Sequence, residues 1–166
     1  MSLHRMYAII LRYLYLMRHS YDRLTDIFYW VIMDIILWGL TSVFFRNALE
    51  GDSNITTNLI GGLILWYVVW RTQYEISVNL LEEVWNKNLI NIFASPITFF
   101  EWITAFMISG MIKVLLMLVV AIPLSYYLYG VNFFIYGNYL FIFIPLLMMS
   151  GWTVGLFISG FLLRFG

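Results

Sequence analysis

The chain has 166 residues, of which 63% are hydrophobic and only 11% are charged, whereas soluble domains average about 45–50% apolar and about 25% charged residues. Nine basic and nine acidic residues cancel, so net charge gives no indication of nucleic-acid binding. Cysteine is absent, which excludes disulfides and thiolate metal sites. This composition is typical of a membrane protein, and the length allows about four helical crossings but no soluble catalytic domain.

Residues 1–24 are predicted to form an amphipathic helix that lies in the cytoplasmic membrane interface. Arg5, Arg12 and His19 recur at seven-residue spacing on one helical face, and apolar residues occupy much of the remainder. The alternative is a positively charged leader that only sets topology. The two interpretations are compatible.

Four apolar stretches follow, each long enough to cross a bilayer as a helix. We predict spans at about residues 27–45, 59–81, 102–129 and 138–163. Backbone polar groups in lipid must be paired within the segment, so helices are the expected structure for runs of this length. The predicted fold is therefore an all-α membrane protein, a single domain over residues 1–166 with an N-terminal interfacial helix and four transmembrane helices.

The placement of Lys and Arg predicts which side of the membrane each loop faces. One side of the predicted spans carries Arg5, Arg12, Arg18, Arg23, Lys87 and Arg164. The other side carries Arg46 alone. The positive-inside rule therefore places both termini, and the loop between the second and third spans, in the cytoplasm.

Four ionisable residues lie inside predicted spans, namely Asp34, Arg71, Glu75 and Lys113. A charged side chain at mid-membrane costs about 2.5–3.5 kcal/mol on insertion scales. The four charges sum to zero, and Arg71 and Glu75 are neighbours on adjacent turns of one helix. Two interpretations stay open: the charges line a polar route for a substrate, or they form structural pairs that hold the bundle together.

The fourth predicted span carries Gly151, Gly155 and Ser159 at four-residue spacing. Small residues in this pattern let two helices approach closely. The pattern predicts a packing face. The partner helix belongs either to this chain or to a second copy of it.

A polar, acid-bearing segment, residues 82–98, separates the second and third predicted spans and has the residue pattern of an amphipathic helix. Pro96 disfavours helical geometry at Ser95 and so predicts that the helix ends there. Thr98 and Glu101 have the spacing of a capping box that starts the next helix. From the residues alone, a helix that rests on the interface and a docking surface are equally consistent with this segment.

The stretch NLINIFASPITFFEW resembles the segment after the second span in membrane subunits of the type-2 exporter class of ATP-binding-cassette transporters. In that family a Glu-rich helix runs into a Leu-rich pattern, then Ser/Thr-Pro-Ile and an acidic residue. The matching residues are Leu89, Ile92, Phe93, Ser95, Pro96, Ile97 and Glu101. YWVIMDIILWG and GLFISGFLLRFG extend the resemblance to nearly the whole chain. Asn86-Lys87 stands where the family commonly has Arg-Gly, and the family usually has six spans.

The resemblance implies a permease subunit, part of a six-helix permease fold, in the plasma (inner) membrane. Such a subunit exports a lipid-like, drug-like or saccharide substrate and assembles with a second permease copy. The resemblance also implies that residues 82–98 form a coupling helix, which docks on a separate cytoplasmic ATPase. The implied coupling residues are Glu82, Glu83, Lys87, Leu89, Ile92, Phe93, Ser95 and Pro96.

The nucleotide-binding pattern G-x-x-x-x-G-K-[ST] is absent from the sequence, so ATP hydrolysis is expected on the partner and not on this chain. We expect no catalytic residue, metal or cofactor here. The alternative function is a membrane scaffold or anchor without transport activity. A haem-holding anchor is disfavoured because His4 and His19 both precede the first span. Since four spans are predicted where the family has six, we expect a fragment or a degenerate copy.

Overall fold

The computed structural model describes residues 3–48 and 54–165, and every regular element in these ranges is helical. In chain order the elements are α1 (Leu3–His19), α2 (Tyr21–Ala48), α3 (Ile55–Trp85), α4 (Leu89–Ala94), α5 (Phe99–Tyr129), a 3₁₀ segment (Phe133–Tyr139) and α6 (Leu140–Phe165). The predicted all-helical fold is confirmed for this part of the chain.

Three segments of the described ranges are long and apolar enough to cross a membrane, namely Tyr21–Ala48, Phe99–Tyr129 and Phe133–Phe165. They contain the first, third and fourth predicted spans. The chain is therefore a membrane protein. The helix α3 does not meet the same measure of apolarity, because its second half carries charged residues.

The helix boundaries differ most from the predicted ones at two places. The predicted interfacial segment 1–24 is divided, because α1 ends at His19 and α2 already begins at Tyr21. The predicted helix 82–98 is not one element either, because α3 continues to Trp85 and α4 is separate. The break follows at Lys87, whose φ of 53° is a left-handed conformation that stops a helix. Neither Gly nor Pro marks this position in the sequence.

The helices α2 and α3 pack antiparallel over most of their lengths. Side-chain hydrogen bonds join them at three levels, between Ser42 and Thr56, between Tyr67 and Asp34, and between Arg23 and Glu82. The first pair lies next to the connecting loop and the last pair lies at the opposite end. The helix α3 therefore lies alongside nearly the whole length of α2, although it is less apolar.

The interior formed by residues 3–48 and 54–165 contains two hydrophobic clusters. The larger one joins α2, α3, α5 and α6, and its fully buried members include Ile60, Ile64 and Val68 of α3. The smaller one joins α1, the end of α3, α4 and the start of α5. In it the rings of Tyr13 and Phe106 lie 5.0 Å apart, edge to face. The helix α1 is thus packed onto the bundle and buries part of its apolar face there.

Candidate functional site at the corner between α3 and α5

Residues 82–98, here called the corner segment, make two sharp changes of direction. After Trp85 the chain turns through Lys87 into α4, which ends at Ser95 in extended geometry (φ −82°, ψ 160°) directly before Pro96. Thr98 then caps α5: its hydroxyl accepts from the Glu101 backbone N–H at 3.4 Å, and the Glu101 carboxylate accepts from the Thr98 N–H at 3.0 Å. The predicted helix end and capping box are both confirmed.

Glu83 ties the corner segment to α1. Its carboxylate accepts from the Tyr13 hydroxyl at 2.5 Å and from the Asn88 side-chain amide at 2.5 Å, and it forms an ion pair with Arg12 at 3.0 Å. Burial raises the pKa of Tyr13 well above its usual value, and the hydrogen bond to Glu83 adds to the effect. The Tyr13 hydroxyl therefore stays protonated and donates at physiological pH. Glu83 itself is buried and faces inward.

Two further contacts fix the corner segment. Arg23 of α2 forms an ion pair with Glu82 at 2.5 Å. The guanidinium of Arg5 in α1 donates to the carbonyl oxygen of Pro96. Together with the Glu83 contacts, these bonds attach both ends of the segment to the two N-terminal helices.

The outward face of the corner segment is apolar. Trp85, Ile90 and Phe93 are 72%, 78% and 55% exposed. Polar residues near them in the sequence, such as Lys87 and Asn91, are exposed as well. Large exposed apolar patches with a polar rim mark protein–protein or membrane interaction sites, whereas apolar residues that are exposed singly are normal.

The eight predicted coupling residues lie together, but they differ in exposure. Lys87, Phe93 and Pro96 are exposed; Glu82, Leu89 and Ser95 are half-buried; Glu83 and Ile92 are buried. Sequence reasoning missed Trp85 and Ile90, since an amphipathic pattern assigns apolar residues to the inner face. It also missed the anchors Tyr13 and Asn88. The sequence signal that could have indicated these contacts is the presence of basic residues in α1 and α2 together with the acidic residues Glu82 and Glu83.

Three of the four ionisable residues within the predicted spans, Arg71, Glu75 and Lys113, form ion pairs. Lys113 Nζ donates to both carboxylate oxygens of Glu75 at 2.6 Å, and the Asn79 amide donates to the same carboxylate at 2.8 Å. Lys113 and Glu75 are both buried. Their bond joins α3 to α5 near the middle of the bundle.

Arg71 pairs with Asp26 at 2.7 Å and not with Glu75. The two α3 residues diverge, because Arg71 extends toward α2 whereas Glu75 extends toward α5. Asp26 lies one residue before the predicted first span and was therefore not considered as a partner. Asp34 accepts a hydrogen bond from the Tyr67 hydroxyl, and within the described ranges it has no ion pair.

The small residues of α6 lie on its buried face, and the two glycines contact α3 of the same chain. A Cβ added to Gly155 would lie 2.9 Å from the carbonyl oxygen of Gln73. One added to Gly151 would lie 2.6 Å from the carbonyl oxygen of Val69. Ser159 is also buried. The close approach predicted from this spacing thus occurs within one chain.

Comparisons with family models, with curated proteins and with solved structures each give no match for this chain. The motif resemblance and the geometry of the corner segment are therefore the two bases for a functional proposal.

Removing one hydroxyl is expected to loosen α1. Tyr13→Phe takes away a donor to the buried Glu83 carboxylate, and a hydrogen bond to a charged group contributes about 1.5–3 kcal/mol. Amide hydrogen exchange in α1 should accelerate accordingly. The matched control is Tyr15→Phe, because Tyr15 lies on the exposed side of the same helix. Equal exchange rates in the two variants would contradict the anchoring role of Glu83.

Proposed function

We propose that the chain is a membrane-spanning permease subunit of an ATP-driven exporter, and that its corner segment docks on a separate cytoplasmic ATPase subunit. The observation that carries the proposal is the exposed apolar face of Trp85, Ile90 and Phe93 on a segment that α1 and α2 hold in place. The corner segment connects the end of α3 to the start of α5. A displacement of the docked face is therefore transmitted to both helices.

The motif resemblance supports the same proposal and extends it. It adds a second permease copy, the plasma (inner) membrane, a cytoplasmic N-terminus and a lipid-like, drug-like or saccharide substrate. The bias of Lys and Arg supports the orientation independently, because Arg5, Arg12, Arg23 and Lys87 gather at the end of the bundle that holds the corner segment.

The proposal requires α3 to cross the membrane as the second of four spans. Two features support this crossing. The helix lies alongside α2 over nearly its whole length. Arg71 and Glu75 are each neutralised inside the chain, by Asp26 and Lys113, which lowers the cost of placing them in the membrane.

Single-cysteine labelling tests the four crossings, and the chain is suited to it because it has no native cysteine. With four spans, Lys87→Cys is expected to react with a membrane-impermeant maleimide from the cytoplasmic side, and Tyr127→Cys from the opposite side. If α3 did not cross, the two sides would be exchanged. Arg18→Cys fixes the cytoplasmic reference in either case.

Isolation of the tagged chain from native membranes tests the docking site. We expect a P-loop ATPase to co-purify, identified by peptide mass, with ATPase activity in the eluate. Ile90→Asp is expected to lower the recovered activity by about tenfold or more, since a charge at an apolar anchor removes a major part of the binding free energy. The control is Tyr127→Asp, at a site that is 87% exposed at the other end of the bundle. A folded, full-length chain that brings down no ATPase would instead favour the scaffold function.

A further inference from the structure

A groove of about 510 Å³ runs along the surface between α2 and α3. Its aromatic lining consists of Trp30, Trp66, Tyr67, Trp70 and Tyr74, and its acidic lining consists of Asp26 and Asp34. Asp26, Trp30 and Asp34 follow one another at four-residue spacing, so α2 presents them in one row. Aromatic faces and carboxylates thus line the same space.

The two carboxylates differ in their partners. Arg71 binds Asp26 at 2.7 Å, and its guanidinium also lies 5.4 Å from the centre of the Tyr74 ring. Asp34 lies two turns further along α2, about 12 Å away, so Arg71 does not reach it. The Tyr67 hydroxyl satisfies part of the Asp34 carboxylate but does not neutralise it.

A second cavity, of about 280 Å³, shares Asp26 and Tyr74 with the groove and continues it toward the corner segment. Around the two cavities together stand the carboxylates of Asp22, Asp26, Asp34, Glu75 and Glu82. The cations around them are Arg23, Arg71 and Lys113. Five acids against three bases leave this part of the described chain with an excess of two negative charges.

A carboxylate in apolar surroundings is destabilised unless a cation accompanies it. Aromatic faces attract cations as well, through the negative potential above the ring. The groove therefore combines two recognition elements for positive charge with an apolar wall. The same negative potential would repel an anion.

From this arrangement we propose that the groove between α2 and α3 binds a lipophilic organic cation, with its positive centre beside Asp34 and its apolar body against the tryptophans. Trp30, Trp66 and Trp70 are 59%, 58% and 47% exposed on the outer surface of the bundle. The ligand therefore enters sideways from the bilayer. This inference rests on the proposed function only for the role of the cation as transported substrate, because binding itself requires no ATPase.

The probes are tetraphenylphosphonium and tetraphenylborate, which have nearly the same shape and opposite charge. The purified chain is kept in an uncharged polyoxyethylene detergent, which contains neither sugars nor amines. Quenching of tryptophan fluorescence reports occupancy, since three tryptophans line the groove. We expect saturable binding of the phosphonium and at least tenfold weaker binding of the borate. Equal binding of both ions would overturn the proposal, as would equal quenching by a neutral oligosaccharide such as maltoheptaose.

Asp34→Asn is expected to weaken phosphonium binding at least tenfold, whereas Asp34→Glu should retain most of it. The asparagine variant keeps an oxygen that accepts from Tyr67 and loses a charge that has no ion-pair partner in the described ranges. Its thermal stability should therefore match that of the parent chain. Undiminished phosphonium binding by the folded variant would overturn the proposal. Even if the variant does not fold, the comparison of the two probes on the unaltered chain shows whether binding depends on positive charge.

A free cation and a lipid with a quaternary ammonium headgroup present the same chemistry to the groove. Adding phosphatidylcholine or phosphatidylglycerol to the micelles distinguishes the two sources. Displacement of the phosphonium by phosphatidylcholine alone assigns the groove to the lipid headgroup, and displacement by neither assigns it to a free cation. Failure of phosphonium binding leaves the docking proposal intact, and absence of an ATPase leaves the cation site intact.

Discussion

Lys113→Met is expected to destabilise the chain by about 3–5 kcal/mol, the usual cost of leaving one member of a buried ion pair alone. The substitution keeps most of the length of the side chain but removes the ammonium group that donates to both oxygens of Glu75 at 2.6 Å. The Asn79 amide would remain as a donor, and it carries no charge. Thermal unfolding in detergent, followed by circular dichroism, measures the loss.

Removing the second charge should reverse most of this loss. In Glu75→Gln combined with Lys113→Met neither position carries a charge, and replacing both members of a buried pair is often nearly neutral. Lys87→Met controls for the loss of a lysine at an exposed position. A double variant as unstable as the single one would show that packing, not the unpaired carboxylate, sets the cost. Normal assembly and transport by the stable double variant would also favour the structural role of the pair over a substrate route.

Gly151→Ala is expected to cost about 1–3 kcal/mol, the usual range for overpacking a tight contact. The added carbon would lie 2.0 Å from Thr72 Oγ1 and 2.6 Å from the Val69 carbonyl oxygen. The Thr72 side chain can be removed by substitution. The Val69 carbonyl belongs to the backbone of α3 and cannot turn away. Either α3 and α6 separate or the helix bends, and the unfolding temperature falls.

Gly160→Ala is the matched control, because no atom lies within 4 Å of a Cβ added there. It keeps the gain in helix propensity, about 1 kcal/mol, without the clash. Thr72→Ala in the Gly151→Ala background should recover part of the stability, since it removes the nearer of the two obstacles. Equal stability of the two alanine variants would contradict the close contact between α3 and α6.

The parts of the fold that sequence predicts well are local. Apolar length identifies α2, α5 and α6, and the chemistry of Pro96 and Thr98 sets the end of α4 and the start of α5. The break at Lys87 was not predictable in the same way, because a left-handed lysine has no local signature. Its conformation depends on what surrounds the corner segment.

The position of the corner segment in the chain was predictable, but the orientation of its side chains was not. A carboxylate such as Glu83 in a polar segment suggests an exposed residue, yet it is buried because α1 folds over it from 70 residues away in sequence. The choice of Asp26 as the partner of Arg71 likewise depends on how α2 meets α3. Trp85 and Ile90 are exposed although both side chains are apolar. All three outcomes depend on tertiary packing, which no local pattern specifies.

The contact between α1 and α5 constrains the order in which the protein folds during its synthesis. Tyr13 packs against Phe106, which is much later in the chain. At ordinary rates of synthesis Phe106 leaves the ribosome about 5–20 s after Tyr13. During that interval the smaller hydrophobic cluster is incomplete, because the residues that α5 contributes to it have not yet been synthesised. The packing of α1 onto the bundle is therefore completed only after the start of α5 has been synthesised.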